Sequence, residues 1–222
     1  VEIGPGRGAI TLPLLKACGR LDVVELDRDL VQPLADKARA IGELVIHQHD
    51  ALRFDFSSLA NDAKIRTVGN LPYNISTPLL FRLIEQADSI QDMHFMLQKE
   101  VVDRMSAAPG SGDYGRLSVM IQYHCKVDCL FLVAPEAFDP VPKVDSAFVR
   151  LAPWLEPPVE VQDLASLTTL VRQAFSQRRK TLRNTLKGLL TTRQIEDADT
   201  DPATRPETVT LRQYAALANQ LY

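Results

Sequence analysis

Short apolar runs typical of buried strands alternate with helix-like apolar spacing through about residue 150. Helical spacing between the runs is seen, for example, at Leu30, Leu34 and Ala38. This alternation favours a mainly parallel β-sheet with helices on both faces. The last two runs lie close together, which suits an antiparallel pair at the edge of the sheet. The predicted strands are Val1–Ile3, Leu21–Leu26, Leu44–Gln48, Lys64–Val68, Met93–Leu97, Val127–Val133 and Ser146–Leu151.

A proline-rich stretch, Pro153–Pro158, separates this region from a C-terminal part whose apolar spacing is helical throughout. Helical patterns occur there over Leu164–Phe175, Leu182–Leu190 and Leu211–Ala218. We therefore predict an α/β fold with two domains. Residues 1–155 carry the sheet, and residues 156–222 form a small helical domain.

The composition, with 45% hydrophobic residues and a mean hydropathy of −0.08, is that of an ordinary soluble protein. No apolar run approaches the roughly 18–20 residues that cross a bilayer. The three cysteines are odd in number and lack a C-x-x-C pair, so they predict no disulfide framework and fit a cytoplasmic protein. Cys125 and Cys129 beside His124 raise the alternative of a zinc site. Their apolar surroundings are more typical of buried thiols, and no metal is predicted.

Positive charge is concentrated in one segment near the C-terminus. The formal net charge is −3, yet residues 172–193 contain seven Lys or Arg and no Asp or Glu, which leaves −10 for the rest of the chain. Such a segment favours a polyanionic partner, although charged helix faces are often simply solvated. This basic segment, residues 172–193, includes Arg178, Arg179, Lys180 and Arg183.

A glycine-rich turn follows the first predicted strand. Gly4, Gly6 and Gly8 are spaced G-x-G-x-G, and Glu2 stands two residues before the first of them. A dinucleotide-binding turn is the alternative, but its fingerprint is G-x-G-x-x-G, and the bulky residues between these glycines suit a pyrophosphate poorly. Glycines let the chain turn sharply and let a ligand approach the backbone.

Acidic residues stand at the ends of the next two predicted strands. Glu25 is placed to accept hydrogen bonds from ribose hydroxyls, and Asp50 from an adenine amine. Ligands of open α/β sheets bind along the edge where parallel strands end. Glu25 could instead be a solvated loop acid. Together with the glycine turn, the two acids predict a pocket for an adenosyl amino acid with no phosphate to cradle.

The fourth predicted strand leads into Asn70-Leu71-Pro72-Tyr73, which resembles the [N/D]-x-P-[Y/F/W] signature of adenine-N6 methyltransferases. The adenine amine is a poor nucleophile because its lone pair is delocalised into the ring. If the Asn70 side-chain oxygen and the Leu71 carbonyl each accept one amine hydrogen, the nitrogen can pyramidalise towards a methyl donor. Pro72 favours an extended Leu71, and Tyr73 offers a face for base stacking. A simple turn closed by Asn and Pro is the alternative.

The same family carries a second aromatic residue in a proline-rich loop, and Pro135–Ser146 matches that pattern. The resemblance implies that Phe138 closes on the other face of the base and that Lys143 meets a phosphate. Core packing is the alternative role for Phe138. A two-sided aromatic clamp would offset the cost, on the order of a few kcal/mol, of flipping a stacked base out.

Further stretches resemble the KsgA-type ribosomal RNA small-subunit adenine dimethyltransferases, over nearly the whole chain. The resemblance implies a Rossmann-like class I methyltransferase sheet and S-adenosylmethionine as the methyl donor. It also implies that the substrate is a pair of adjacent adenosines in a hairpin loop near the 3′ end of 16S rRNA, dimethylated on a pre-30S particle during small-subunit biogenesis. The stretches are Asn70–Ser76, Gln98–Arg104, Tyr114–Ser118, Pro142–Ser146 and Gln177–Arg183.

The resemblance assigns the site residues as follows. The catalytic residues are Asn70, Leu71, Tyr73 and Phe138. The cofactor-binding residues are Glu2, Gly4, Gly6, Glu25, Asp50 and Asn70. The RNA-binding residues are Lys143, Arg178, Arg179, Lys180 and Arg183.

Two other functions remain as alternatives: a 23S rRNA adenine methyltransferase of the macrolide-resistance type, and a ribosome-assembly factor that binds RNA without chemistry. Leu71 and the basic segment favour the small subunit. The chain opens without methionine in what reads as the end of a strand, so we expect an N-terminal segment to be missing. The family's G-Q-N-F-L-type motif before the first strand does not occur in this sequence. A monomer is expected by default.

Overall fold

The computed structural model describes residues 1–61, 63–138, 141–177 and 179–222. Contacts within the chain divide it into two compact units. Unit 1 comprises Val1–Val102 and Lys126–Pro153, and unit 2 comprises Asp103–Cys125 and Trp154–Tyr222.

The described strands form one seven-stranded sheet in the order β3-β2-β1-β4-β5-β7-β6. Strands β1 to β5 run parallel to one another. Strand β7 runs antiparallel to β5, and β6 is the edge strand next to β7. Each of the seven predicted strands is present, and the predicted fold class is confirmed. The strands are β1 (Glu2–Ile3), β2 (Arg20–Glu25), β3 (Glu43–Gln48), β4 (Ile65–Asn70), β5 (Ile90–Gln98), β6 (Cys125–Val133) and β7 (Ser146–Pro153).

Helices connect these strands and make up most of unit 2. Within the described ranges, no helix is both long enough and apolar enough to span a membrane. The helices are α1 (Thr11–Cys18), α2 (Arg28–Ala38), α3 (Ser76–Ile84), α4 (Lys99–Ser106), α5 (Arg116–His124), α6 (Leu164–Ala174), α7 (Leu182–Thr185), α8 (Thr192–Asp197) and α9 (Leu211–Asn219).

In unit 1, α1 and α2 pack through their apolar faces against β2. Leu15 of α1 and Leu34 of α2 are buried in one cluster with Val23 of the strand. Asp27 begins α2, and its side chain accepts a hydrogen bond from the backbone N–H of Asp29. This N-cap satisfies a donor that the first helical turn leaves unpaired. The cap fixes where the chain leaves β2 and turns back over the sheet.

In unit 2, aromatic residues join segments that are distant in sequence. The hydroxyl of buried Tyr114 donates to the Val209 carbonyl at 2.9 Å, and that of Tyr214 donates to the Pro206 carbonyl at 2.8 Å. The Phe175 ring lies against both tyrosine rings, with centroid distances of 6.3 and 5.9 Å. Because both phenol hydroxyls are hydrogen-bonded, burying them leaves no polar group unsatisfied.

The unit boundary differs from the sequence-based boundary at residue 155, because residues 103–125 group with the C-terminal helices. Helix α5 explains this grouping. Leu117, Val119, Met120 and Ile121 are all buried, so the helix needs apolar neighbours on more than one side. Within unit 2, it packs against α6 and α9.

The predicted helical pattern over Leu182–Leu190 gives only the short helix α7, Leu182–Thr185. Gly188 has φ +90°, a left-handed conformation that a continuing α-helix does not contain. Leu182, Leu186 and Leu190 are nevertheless buried. The apolar spacing therefore identified core positions correctly and overestimated the length of the helix.

Candidate active site

The ends of the parallel strands place the predicted site residues along one edge of unit 1, here called the carboxyl edge. Gly4 follows β1, Glu25 and Asn70 are the last residues of β2 and β4, and Asp50 lies two residues after β3. The Gly4 N–H donates to the Val24 carbonyl at 3.0 Å. This bond extends the β1–β2 pairing up to the glycine turn.

The glycine turn leaves open space beside its backbone. Gly4 and Gly6 have φ +68° and +56°, and a Cβ at either would meet no atom within 4 Å. Gly8 differs, because a Cβ there would lie 2.7 Å from Leu34 Cδ1. The first two glycines thus offer the backbone to a ligand, whereas Gly8 allows helix α2 to pack closely.

Glu25 braces this turn. Its side chain is 8% exposed, and its two carboxylate oxygens accept from the backbone N–H groups of Gly6 at 3.1 Å and Asp27 at 2.8 Å. The solvated-acid alternative is therefore wrong. A carboxylate offers about four lone-pair directions, so positions remain for ribose hydroxyls.

Glu2 is a buried acid beneath the turn. It is 1% exposed, and its Oε2 has no hydrogen-bond partner among the residues that the structure describes. Burial raises the pKa of Glu2 above its ordinary value of 4.5, and the charge of Glu25 acts in the same direction. A positively charged ligand beside this carboxyl would relieve the cost of ionising it.

Asp50 is half-buried at the end of the third strand. Its Oδ1 accepts from the Leu52 N–H at 2.9 Å, and its Oδ2 lies 3.9 Å from Nε of the exposed Arg53. Both interactions fix the carboxylate from one side. Lone pairs of the carboxylate remain for a further donor, and the assignment of Asp50 to an adenine amine stays a prediction.

The reacting motif places two oxygen acceptors at the carboxyl edge. Asn70 is exposed, whereas Leu71 is 1% exposed and donates its N–H to the Met96 carbonyl at 3.2 Å. Across the described ranges, neither the Asn70 side chain nor the Leu71 carbonyl makes a hydrogen bond. Neither oxygen is therefore committed to another described group of the protein.

Two contacts hold the chain after these acceptors. The Ile75 N–H donates to the Pro72 carbonyl at 3.1 Å, and the Ser76 hydroxyl donates to the Tyr73 carbonyl at 3.1 Å. The Tyr73 side chain is half-buried, and its Oη lies 2.9 Å from Ser146 Oγ. The tetrapeptide is a fixed turn, with Tyr73 held at both its backbone and its ring.

The proline-rich loop is described in part. Phe138 is half-buried and ends a short 3₁₀ turn, Pro135–Ala137, where its N–H donates to the Pro135 carbonyl at 3.1 Å. Lys143 is exposed. Phe138 is thus not fully enclosed in the core, and its assignment to the second face of the base stays a prediction.

The basic segment lies in unit 2. Arg179, Lys180 and Arg183 are exposed and form no ion pair with any described residue. Arg178 lies outside the described residues. A guanidinium or ammonium group without a carboxylate partner is available to phosphate, so the prediction of RNA contact stands as a prediction.

Sequence reasoning missed the role of Ser146. Ser146 lies in one of the stretches that resemble the family, Pro142–Ser146, but its contact could not be predicted because its partner, Tyr73, is distant along the chain. The cysteines add no chemistry to the site. Cys125 is buried, which raises its pKa to about 12, and the described residues contain no cluster of His, Cys, Asp or Glu suited to a metal.

Comparison with known proteins identifies close relatives. Ribosomal RNA small subunit methyltransferase A of Pseudomonas aeruginosa is 59% identical over 222 residues, covering 100% of this chain and 83% of the relative. The protein of the same name from Laribacter hongkongensis is 56% identical over 220 residues, covering 99% of this chain and 84% of the relative.

Two solved structures share the whole fold. A dimethyladenosine transferase from Plasmodium falciparum matches with a TM-score of 0.76 and 25% identity, over 97% of this chain and 86% of its own. The 23S rRNA methyltransferase ErmE matches with a TM-score of 0.71 and 26% identity, over 99% and 89%.

A family model described as ribosomal RNA adenine dimethylase matches residues 1–221. The Asn70–Tyr73 motif, the glycine turn and the basic segment all lie inside the matched range. The chain belongs to the ribosomal RNA adenine dimethylase family.

Proposed function

We propose that this protein transfers methyl groups from S-adenosylmethionine to the N6 amines of two adjacent adenosines in a hairpin loop near the 3′ end of 16S rRNA. The observation that carries the chemistry is the pair of unengaged oxygens, Asn70 Oδ1 and the Leu71 carbonyl, at the carboxyl edge. The small-subunit target is supported by relatives of that name at 59% and 56% identity, against 26% for the 23S enzyme ErmE.

The residues around the glycine turn fit S-adenosylmethionine. Gly4 and Gly6 leave room beside the backbone, and Glu25 and Asp50 have lone pairs left for ribose hydroxyls and an adenine amine. The Glu2 Oε2, which has no hydrogen-bond partner among the described residues, suits a positively charged amino-acid end. When bound, the cofactor supplies an electrophilic methyl group on a sulfonium.

Asn70 and Leu71 activate the acceptor amine. In the first transfer each oxygen accepts one N–H, which draws the nitrogen lone pair out of conjugation with the purine ring and aims it away from the ring plane; in the second transfer the one remaining N–H bonds to one of the two oxygens. The backbone that carries both acceptors is fixed before substrate arrives, and the Asn70 side chain has only to adopt one rotamer, so little reorganisation is needed at the moment of reaction. The amine proton becomes acidic as the new N–C bond forms, so no strong base is needed at this site.

Tyr73 supplies the stacking face for the flipped base, and Phe138 supplies the second face. Phosphates of the RNA meet Lys143 in the loop and the basic segment in the helical part of the chain. In this proposal the RNA is presented by a pre-30S particle, and the helical region docks on it. The cytoplasmic location and the monomeric state stay predictions.

The substrate is tested by offering undermethylated 30S particles, 50S particles and naked rRNA in parallel with radiolabelled S-adenosylmethionine. We expect label in the 30S sample, mapped by primer extension to two adjacent adenosines near the 3′ end of 16S rRNA. Label confined to the 50S sample would instead favour the 23S alternative. A protein that binds particles but transfers no label would be a binding factor.

Replacing Asn70 by alanine removes one of the two acceptors. We expect Asn70→Ala to lower kcat on the order of 100-fold or more. The Kd for S-adenosylmethionine should change by less than about tenfold, roughly 1.4 kcal/mol. Asn61→Ala, in an exposed loop, is the matched control. Wild-type turnover by Asn70→Ala would contradict the mechanism.

Ionisation of Glu2 should couple to cofactor binding. Its carboxyl is held protonated above pH 4.5 by burial, and a cationic ligand favours the ionised form. Binding therefore lowers the pKa of Glu2 and releases a proton, so affinity rises with pH until the raised pKa of the free protein is passed. Calorimetry in buffers of different ionisation enthalpy measures the release. Glu2→Gln should abolish it, and exposed Glu156→Gln should not; equal release from all three proteins argues against the assignment.

The basic segment should contribute electrostatically to RNA affinity. Neutralising Arg179, Lys180 and Arg183 to glutamine should weaken binding of the rRNA hairpin and reduce the slope of log K against log salt by about 2 to 3, since each phosphate contact contributes about 0.7–0.9. The control changes three exposed cations elsewhere, Lys16, Arg39 and Lys64. An unchanged slope in the first variant, or an equal fall in both, would show that the segment is merely solvated.

A further inference from the structure

Ser146 brings a buried hydroxyl to the reacting edge. It is the first residue of β7, its exposure is 0%, and its Oγ lies 2.9 Å from Tyr73 Oη. The two residues are 73 positions apart in sequence. None of the steps described above uses this hydroxyl.

The backbone around Ser146 is fixed to the end of β5. Ser146 pairs with Gln98 at the end of β5, and the Lys99 N–H donates to the Asp145 carbonyl at 2.9 Å. The sheet therefore sets the position of the hydroxyl, and the loop that precedes it does not.

Tyr73, by contrast, lies in a turn beyond the end of β4. Its backbone is held through the Ser76 hydroxyl, but its ring can still rotate about two side-chain bonds. Among the described residues, the hydrogen bond to Ser146 is the one that its phenol makes. A tether at Oη fixes the direction of the ring axis, and the preference of a phenol O–H for the ring plane favours one orientation of the ring face.

We propose that Ser146 is a positioning residue, whose hydroxyl holds the Tyr73 phenol so that the ring face is already set for the target adenine. This inference rests on the proposed function, in which Tyr73 stacks on the base. Strand β5 holds both the turn that carries the amine acceptors and the residue that holds the Tyr73 phenol. The Leu71 N–H bonds to Met96 of that strand, and Ser146 pairs with Gln98 two residues further on. The amine acceptors and the stacking face are thereby fixed to one rigid element.

The test combines Ser146→Ala, Tyr73→Phe and the double variant. Each single change removes the hydrogen bond and keeps the ring, so we expect kcat to fall about five- to tenfold with an unchanged Kd for S-adenosylmethionine. The double variant should be no worse than either single one, because both lose the same contact. Ser146→Thr, which keeps a hydroxyl, should recover part of the activity.

A spectroscopic readout separates positioning from folding. An rRNA hairpin with 2-aminopurine at the target position should lose fluorescence when the base stacks on Tyr73. Ser146→Ala and Tyr73→Phe should both weaken this quenching at saturating protein. Thr67→Val is the matched control, since it removes a buried hydroxyl of β4 that has no hydrogen-bond partner within the described part of the chain. It should leave kcat and quenching unchanged.

Wild-type kcat and quenching in Ser146→Ala, or additive losses in the double variant, would overturn the inference while leaving the proposed function intact. A wild-type protein that transfers no methyl group to adenosine would contradict the proposed function, and with it this inference. Tyr73→Phe, which alters a half-buried ring, keeps the test decisive if Ser146→Ala does not fold.

Discussion

The close approach of β1 and β4 is the constraint on which the site depends. A Cβ on Gly69 would lie 2.5 Å from the Ile3 carbonyl oxygen, so the two strands pair at this spacing only because residue 69 has no side chain. The ends of these strands carry the glycine turn and Asn70. A donor pocket and an acceptor amine can therefore lie close together without any long connecting loop. The arrangement of the site therefore depends on the close packing of Gly69 against Ile3 in the middle of the sheet.

The sequence was most informative for features that depend on residues close together along the chain. Seven apolar runs were sufficient to predict the seven strands, and carboxylates at strand ends pointed to the cofactor pocket. Local patterns were less informative where tertiary packing decides. Helix α5 is buried on several sides, and its grouping with the C-terminal helices depends on partners distant in sequence. The turn at Gly188 ended a helix that the leucine spacing alone would have continued.

The site shows the same division. Glu25 was predicted as a ribose acceptor, yet the structure also gives it two backbone donors, from Gly6 and Asp27. If Glu25 also binds the ribose, as proposed, its replacement would alter both the turn and the cofactor contact. The bracing role cannot be predicted from the sequence, because the two donors are backbone N–H groups, which every residue except proline has. The Tyr73–Ser146 contact could not be predicted from the sequence for a related reason: it joins the region after β4 to the start of β7, which are distant along the chain.

Anchoring Ser146 to β5 also affects how the protein can vary. The chain leaves the sheet at the end of β6 and re-enters it at Ser146, a point fixed by strand pairing, so changes between the two strands need not displace the ring of Tyr73. A family could lengthen, shorten or recharge that loop to suit a differently shaped RNA and still keep its reaction geometry. Substrate preference could thus diverge among relatives more quickly than the chemistry.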